Sequence, residues 1–572
     1  MASVWAALAC FLAGASLSAQ TPGLGTITFP NSGAPAAQAP FIRGVLLLHS
    51  FEYQDAAQAF REAQRIDSGF ALAYWGEALT YTHPVWNEQD RNAARAALQR
   101  LGPTPAARRA RAPTPRERAY LDAVETLYGD GSKAERDSAY SLAMERVMRR
   151  FPADREAKVF YALSLVGLNQ GVRDTTTYLR AAAILEPVFR DNPNHPGAAH
   201  LLIHCYDDPI HARLGLPAAR AYSRIAPDAA HAQHMTTHIF VALGMWDEVV
   251  SQNEIASGRD PTAWTPNHYT QWLGYGLLEQ GRYREALRHL ELMRQNTDWA
   301  TGRGLAVLAQ MRADYVVNTE RWDSPCLEWR IDLSSARSRA VAADAFVAGF
   351  SALKRGDRAR ANRALADLAT LNRSRPAPET GYVDPVPRIL DKELEAASRQ
   401  ADGSLEEAVA LMREATSLED AMPLEFGPPG VVKPSHELLG EMLLATGRPR
   451  EARVEFERAL RLAPKRALSL LGLGRAAAAA GDHKTAAQAY GEFQEIWHRA
   501  DRDLPALTEA ERFLGTPGSD PGLAPGVLGS SGPTGYPVTS RRTSSVVRSA
   551  APRPSCTSRL PAAPALRRAA GS

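Results

Sequence analysis

Seven of the fourteen histidines in this chain fall in one stretch, His195 to His238: His195, His200, His204, His211, His231, His234 and His238. Asp207 and Asp208 sit among them. Imidazoles and carboxylates ligate metals and move protons, so any chemistry is expected here. The spacing is helical. His200 and His204 are four apart; His231, His234 and His238 are separated by three and then four, which keeps each set on one helix face. Two such helices side by side bring four nitrogens, those of His200, His204, His234 and His238, toward one ion. Zn²⁺ or Cu²⁺ suits that set, and Fe does if Asp208 takes part. His231, His268, His211, Asp207 and Asp208 are further binding candidates, supplying a donor atom or orienting a ligand ring from behind.

Two other readings stand beside this one. The spacings match no standard zinc-enzyme motif, since the Glu of H-E-x-x-H is missing. The same histidines would serve as a groove for a non-metal ligand or peptide, or as a hydrogen-bonding network between helices. No residue is singled out as catalytic: there is no Gly-rich phosphate loop, no nucleophile elbow and no CxxC pair. The His83-Pro84-x-Trp86 stretch reads as the end and cap of a helix. Tyr74, Trp75 and the aromatics from Trp264 to Trp272 read as packing between helices.

The elements that must position these residues are helices in a repeat. Leu439-Gly440, Leu443, Ala452, Phe456, Ala459 and Pro464 form one series, and Leu473-Gly474, Ala477, Ala486, Tyr490 and Phe493 form the next. Gly440 to Gly474, Ala452 to Ala486 and Phe456 to Tyr490 are each 34 residues apart. Gly44, Ala56 and Phe60, and Leu273-Gly274, Leu277 and Ala286, follow the plan more loosely. This pattern resembles the tetratricopeptide repeat, over roughly 40 to 500, and the chain is similar to large secreted bacterial proteins of that kind. The resemblance implies an all-α solenoid, a superhelix of antiparallel helix pairs with a concave groove. It also implies interaction rather than catalysis, with a protein or peptide partner in the groove. In such repeats positions 2, 5 and 9 of the first helix tend to face a ligand. With Val249, Ala218 and Ala286 at position 20 of three successive units, His231, His234 and His238 fall at 2, 5 and 9. His200 and His268 fall at position 2.

Residues 1–19 read as a secretory signal and 20–39 as a linker, placing the protein in the periplasm or outside the cell. Residues 40–330 are expected to form an N-terminal and central array holding the His-rich segment 195–238, and 340–513 a C-terminal array. Pro103 to Pro115, with its Arg108 to Arg111 run, and Arg375 to Pro387 read as loops. The tail 515–572 is basic, with seven arginines against Asp520, and has no apolar period, so it is expected to be disordered. With net charge +3 for the whole chain, the body before the tail is slightly acidic, which argues against nucleic acid as a partner. No stretch after the signal is long and apolar enough to span a membrane. Cys205 and Cys326 are left as the body's cysteines, with Cys205 read as a buried apolar residue.

Overall fold

The structure, a computed structural model, describes residues 19–20, 23–169, 172–259, 264–298, 302–374 and 382–515. Among them are 25 α-helices, and strand is confined to two short ribbons, Ala19–Gln20 with Thr26–Ile27 and Thr82–His83 with Glu88–Gln89. The helices follow one another as antiparallel hairpins, from Gln38–His49 with Tyr53–Ile66 to Ala467–Ala479 with His483–Ile496, and Pro505–Leu514 closes the array. The fold is an all-α array of antiparallel helix pairs, the architecture that the tetratricopeptide resemblance implies.

The small-residue positions explain why the hairpins close. Phe60 and Phe456 are completely buried, each between a glycine sixteen residues before it and one sixteen after. A Cβ on Gly44 would come within 2.8 Å of the Phe60 ring, and one on Gly440 within 2.9 Å of Phe456; Gly76 and Gly472 are closer still. Burying such a ring stabilises by roughly 1.5–3 kcal/mol. The glycines let two first helices approach it from either side. Gly447 and Gly481, also 34 apart, end successive first helices at φ of +74° and +78°, a conformation that costs glycine nothing.

The C-terminal units fold back onto the central ones. Trp246 Nε1 donates to the Lys465 carbonyl at 3.0 Å, Trp497 Nε1 to the Glu279 carbonyl at 3.0 Å, and Asp501 N to the Gly281 carbonyl at 3.1 Å. The helix Gly302–Thr319 packs on both His268–Glu279 and Ser338–Lys354, so the array runs through 330–340 without a domain break.

Several expectations change. The described part of the expected linker, residues 23–39, is packed: Leu24, Ile27 and Phe29 are buried, and Phe29 sits against Phe41, Trp75 and Tyr120. The sequence signal was Pro/Gly content, which hid these three side chains. The Pro103 insertion contains a helix, Pro105–Arg111, and Arg108 is buried against Glu125 and the Gly102 carbonyl. His83 does not end an α-helix: it lies in a strand, precedes the 3-10 turn Pro84–Trp86 without a side-chain cap bond to it, and stacks on Tyr53, ring centroids 4.0 Å apart. Residues 1–18 and 516–572, and most of the Arg375 loop, lie outside the described residues. No helix among the described residues is long and apolar enough to cross a membrane.

Candidate metal centre

Three first helices carry the histidines. Pro196–Tyr206 begins with proline, and His195 caps it, Nδ1 accepting from Ala198 N at 3.3 Å. It presents His200 and His204. Ala230–Ala242 presents His231, His234 and His238. His268–Glu279 opens with His268 behind an Asn267 capping box. All six residues lie on first helices of successive units.

The grouping differs from the expected four-nitrogen site. His200, His204 and His231 each bring one ring nitrogen within 4.8 Å of the others, and so do His234, His238 and His268. The two triads adjoin, with His204 and His238 centroids 5.8 Å apart. His231 and His268, expected as accessory residues, thus complete the triads.

Hydrogen bonding fixes which nitrogen of two rings is a bare acceptor. His200 Nδ1 donates to the His49 carbonyl at 2.6 Å. His234 Nδ1 faces Asn253 Oδ1 at 2.8 Å; Asn253 Nδ2 is committed to the Val249 carbonyl, so His234 Nδ1 donates. His238 Nδ1 and Asp207 Oδ2 share a hydrogen bond of 2.5 Å. In His200 and His234 Nε2 is left as a lone pair. The Nε2 atoms of His200, His204 and His231 are buried with no hydrogen-bond partner among the described residues. Those of His234 and His238 face each other at 3.2 Å.

Burial holds every imidazole of the two triads below its ordinary pKa, His200 at about 3 and His268 at about 4, so all six are neutral, the form that binds metal. Burial also pushes Asp207 up to about 8, against the pull of Arg173. Asp208 and His211, expected as possible ligands, stand outside the triads. Asp208 pairs with Arg173 and His211, each at 2.9 Å, and accepts from the Ile210 and His211 amides, which makes it a turn-holding residue.

Among the described residues, aromatic side chains cover these histidines, which are buried and do not line an open surface there. The Phe51 ring lies 4.3 Å from His200 and 5.5 Å from His231, with Trp86 5.9 Å from His231. Trp272 packs 4.4 Å from His238, and Phe426, from the C-terminal units, 5.4 Å from it. Sequence reasoning missed Phe51, Asn253, Trp272 and Phe426 as site residues. Trp272 alone gave a local signal, four residues after His268.

A third cluster, His49, Glu156 and His195, also brings ligand-type atoms within 4.8 Å. Its atoms are spoken for: the Glu156 carboxylate accepts from His49 Nε2 at 2.7 Å and His195 Nε2 at 3.0 Å. Burial alone would raise the Glu156 carboxyl; the two imidazoles outweigh it and hold it below the usual range.

No family model matches the chain, and no curated protein does. Among solved structures it is similar to the APC/C hetero-tetramer Cut9–Hcn1 (11% identity, 85% of this chain and 78% of that one, TM-score 0.30). It is also similar to the human IFIT1 dimer with m7Gppp-AAAA (13%, 83% and 92%, 0.34) and to yeast Tom70 (12%, 84% and 95%, 0.25).

Proposed function

We propose that this solenoid is a metalloprotein whose six imidazoles hold two ions, one per triad. The observation that carries it is the convergence of ring nitrogens in the two triads, with the Nε2 atoms of His200, His204 and His231 buried and without hydrogen-bond partners among the described residues. The His49 carbonyl holds the His200 ring from behind, and Asn253 and Asp207 hold those of His234 and His238. Leaving one buried polar atom unsatisfied costs about 1–3 kcal/mol, and a cluster of them argues for a common ligand. A hydrogen-bonding group behind the ring, on the nitrogen that does not face the ion, is the arrangement that metal-binding histidines use. Neutral nitrogen donors without a bridging carboxylate favour copper or zinc over iron, because iron sites of this kind usually include a carboxylate. Copper as Cu⁺ suits the buried setting best, since it places less charge in a low-dielectric interior than two divalent ions do.

The test is stoichiometry after chelation, by competition titration with Zn²⁺, Cu²⁺ and Cu⁺ and elemental analysis. Two ions per chain are expected, one in His204→Ala or His238→Ala, and none in the double variant with helix content unchanged. A wild-type chain that retains no ion overturns the reading.

Export is part of the same proposal, supported by the apolar run from Val4 to Leu17. Mature protein from its native host should begin near Gln20; intact Met1 on the soluble protein counts against it. A protein partner is the second reading, on an outer surface and not along the covered histidines. The exposed Ile210 and Leu214, at 70% and 61% exposure, support it. If Ile210→Ser/Leu214→Ser leaves every association in a native-host extract unchanged, that reading goes.

A further inference from the structure

The covers over the histidines are not equally fixed. Trp272 and Phe51 are buried, and Trp272 belongs to the helix His268–Glu279. Phe426 is 43% exposed, yet its ring packs 5.4 Å from that of the buried His238. It belongs to the segment 421–434, which joins the helices Leu405–Asp420 and Ser435–Ala445 and contains no helix or strand. Phe426 also lines a cleft of about 150 Å³, together with Pro423, Pro428 and Pro429. Val241 and Ala242, about one turn after His238 on the same helix, line it too. A space of that size admits water and a hydrated ion. One aromatic ring therefore touches both the cleft and a histidine of the second triad.

The segment is held on either side of that ring. Glu425 Oε1 and Oε2 each accept from Arg339 at 2.9 Å, and Arg339 also bonds Asp384. Gly427 has φ of +86°, and a Cβ there would run into the Trp272 indole, so the chain lies against Trp272 in a fit that only glycine allows. Between these two anchors, Phe426 is the cover that costs least to move. Swinging it off His238 breaks no helix hydrogen bond and uncovers a ring that is already half exposed. Moving Trp272 or Phe51 would bring a buried aromatic side chain into water.

We infer that Phe426 is the gate of the second triad. Its ring swings into the cleft to let an ion or a small reagent reach His238, and the Glu425–Arg339 pair and the fit of Gly427 on Trp272 bring it back. The inference rests on the metal reading for what passes the gate, and the opening itself needs no ion.

Two measurements on the full chain test it. In the chelated protein, diethyl pyrocarbonate acylates accessible neutral imidazoles, and peptide mass spectrometry reads each one. Phe426→Ala should speed modification of His238 at least tenfold over wild type and leave His200 unchanged. In the second measurement, stopped flow follows entry of Zn²⁺ and its release to excess chelator, with His204→Ala isolating the second triad and His238→Ala the first. Phe426→Ala should speed entry and release at the second triad together, at least tenfold each, with affinity changed less than threefold. A gate alters the barrier and not the bound state. The first triad should keep its rates. Gly427→Ala, whose methyl cannot fit against Trp272, should act in the same direction, so the result does not hang on one variant. The gate is overturned by unmoved rates in both variants, by an equal rise at both triads, or by faster release with a matching loss of affinity. A chain that holds two ions and gives any of these results keeps the metal centre and loses the gate. A chain that holds no ion loses the metal centre, and the diethyl pyrocarbonate series still decides the gate.

Discussion

Two buried polar clusters lie in this solenoid at comparable places, between first helices, and they are finished differently. Around Arg466 every strong group is answered. Its guanidinium bonds Glu437 at 2.8 and 3.0 Å, Glu279 at 2.8 Å and the Tyr275 hydroxyl at 2.9 Å; Glu437 also takes Ser469 and Lys433. The cluster locks the C-terminal units to the central ones and has nothing left to offer. The imidazole column is equally buried, but the Nε2 atoms of His200, His204 and His231 are left without partners among the described residues. A structural network uses up its polar groups, and a binding site holds them in place and keeps them free. The His49–Glu156–His195 cluster shows that metal-like residue types are not enough. It has the composition of a site and the closure of a brace.

The largest effect should come from opening the closed cluster. Arg466→Ala leaves Glu437 and Glu279 buried with their strongest partner gone, which should cost about 3–5 kcal/mol of stability in urea unfolding. His204→Ala, removing a ring with an unanswered Nε2, should cost the chelated protein less than about 2 kcal/mol while losing an ion. Equal losses from the two would erase the distinction between brace and site.

The next effect probes how the brace serves the site. The His49 carbonyl that holds His200 belongs to the residue clamped by Glu156. Glu156→Gln replaces an acceptor of two imidazole protons with a group that must itself donate. The His200 ring should lose its fixed direction, and affinity at the first triad should fall about 10–100-fold while the second triad is untouched. Site-resolved titration, with His238→Ala isolating the first triad, reads this. A uniform fall at both triads, or none, removes the positioning role from Glu156.

How much of this was legible in the sequence follows from range. The repeat was legible, because Gly440, Ala452 and Phe456 recur at a fixed spacing and their packing is local. Placing His200, His231 and His268 on first helices needed only that spacing. The division into triads was not legible, because it depends on the angle between neighbouring units, which no residue type encodes. Nor was the cover. Phe51 and Phe426 arrive from segments about 150 and 190 residues away from His200 and His238, and the second comes only because the array folds back through Arg466. Asp208 looked as suitable as Asp207 on paper; one turn geometry gave Asp207 to His238 and Asp208 to Arg173.

The smallest effect compares the regular and degenerate repeats at one position. Gly474 and Gly274 hold the same place in their units, eight residues into each by the register of Ala486 and Ala286. A Cβ on Gly474 would meet the Tyr490 ring at 3.1 Å, and that ring is tethered through its hydroxyl to Glu509 at 2.8 Å. It cannot swing aside, so Gly474→Leu should overpack the hairpin and cost about 1–3 kcal/mol. A Cβ on Gly274 would meet the edge of His289, held through Nε2 to the Thr270 carbonyl at 2.8 Å, at 3.3 Å, 0.2 Å looser than the Tyr490 contact, and the end of Met311 at 3.4 Å, and a methionine methyl yields readily. There the helix preference for alanine should win, and Gly274→Ala should leave stability unchanged or raise it by up to about 0.5 kcal/mol. Opposite signs by urea unfolding are the expected result. If Gly274→Ala destabilises as much as Gly474→Leu, the central hairpins are packed as tightly as the C-terminal ones, and the looser sequence there does not reflect looser packing.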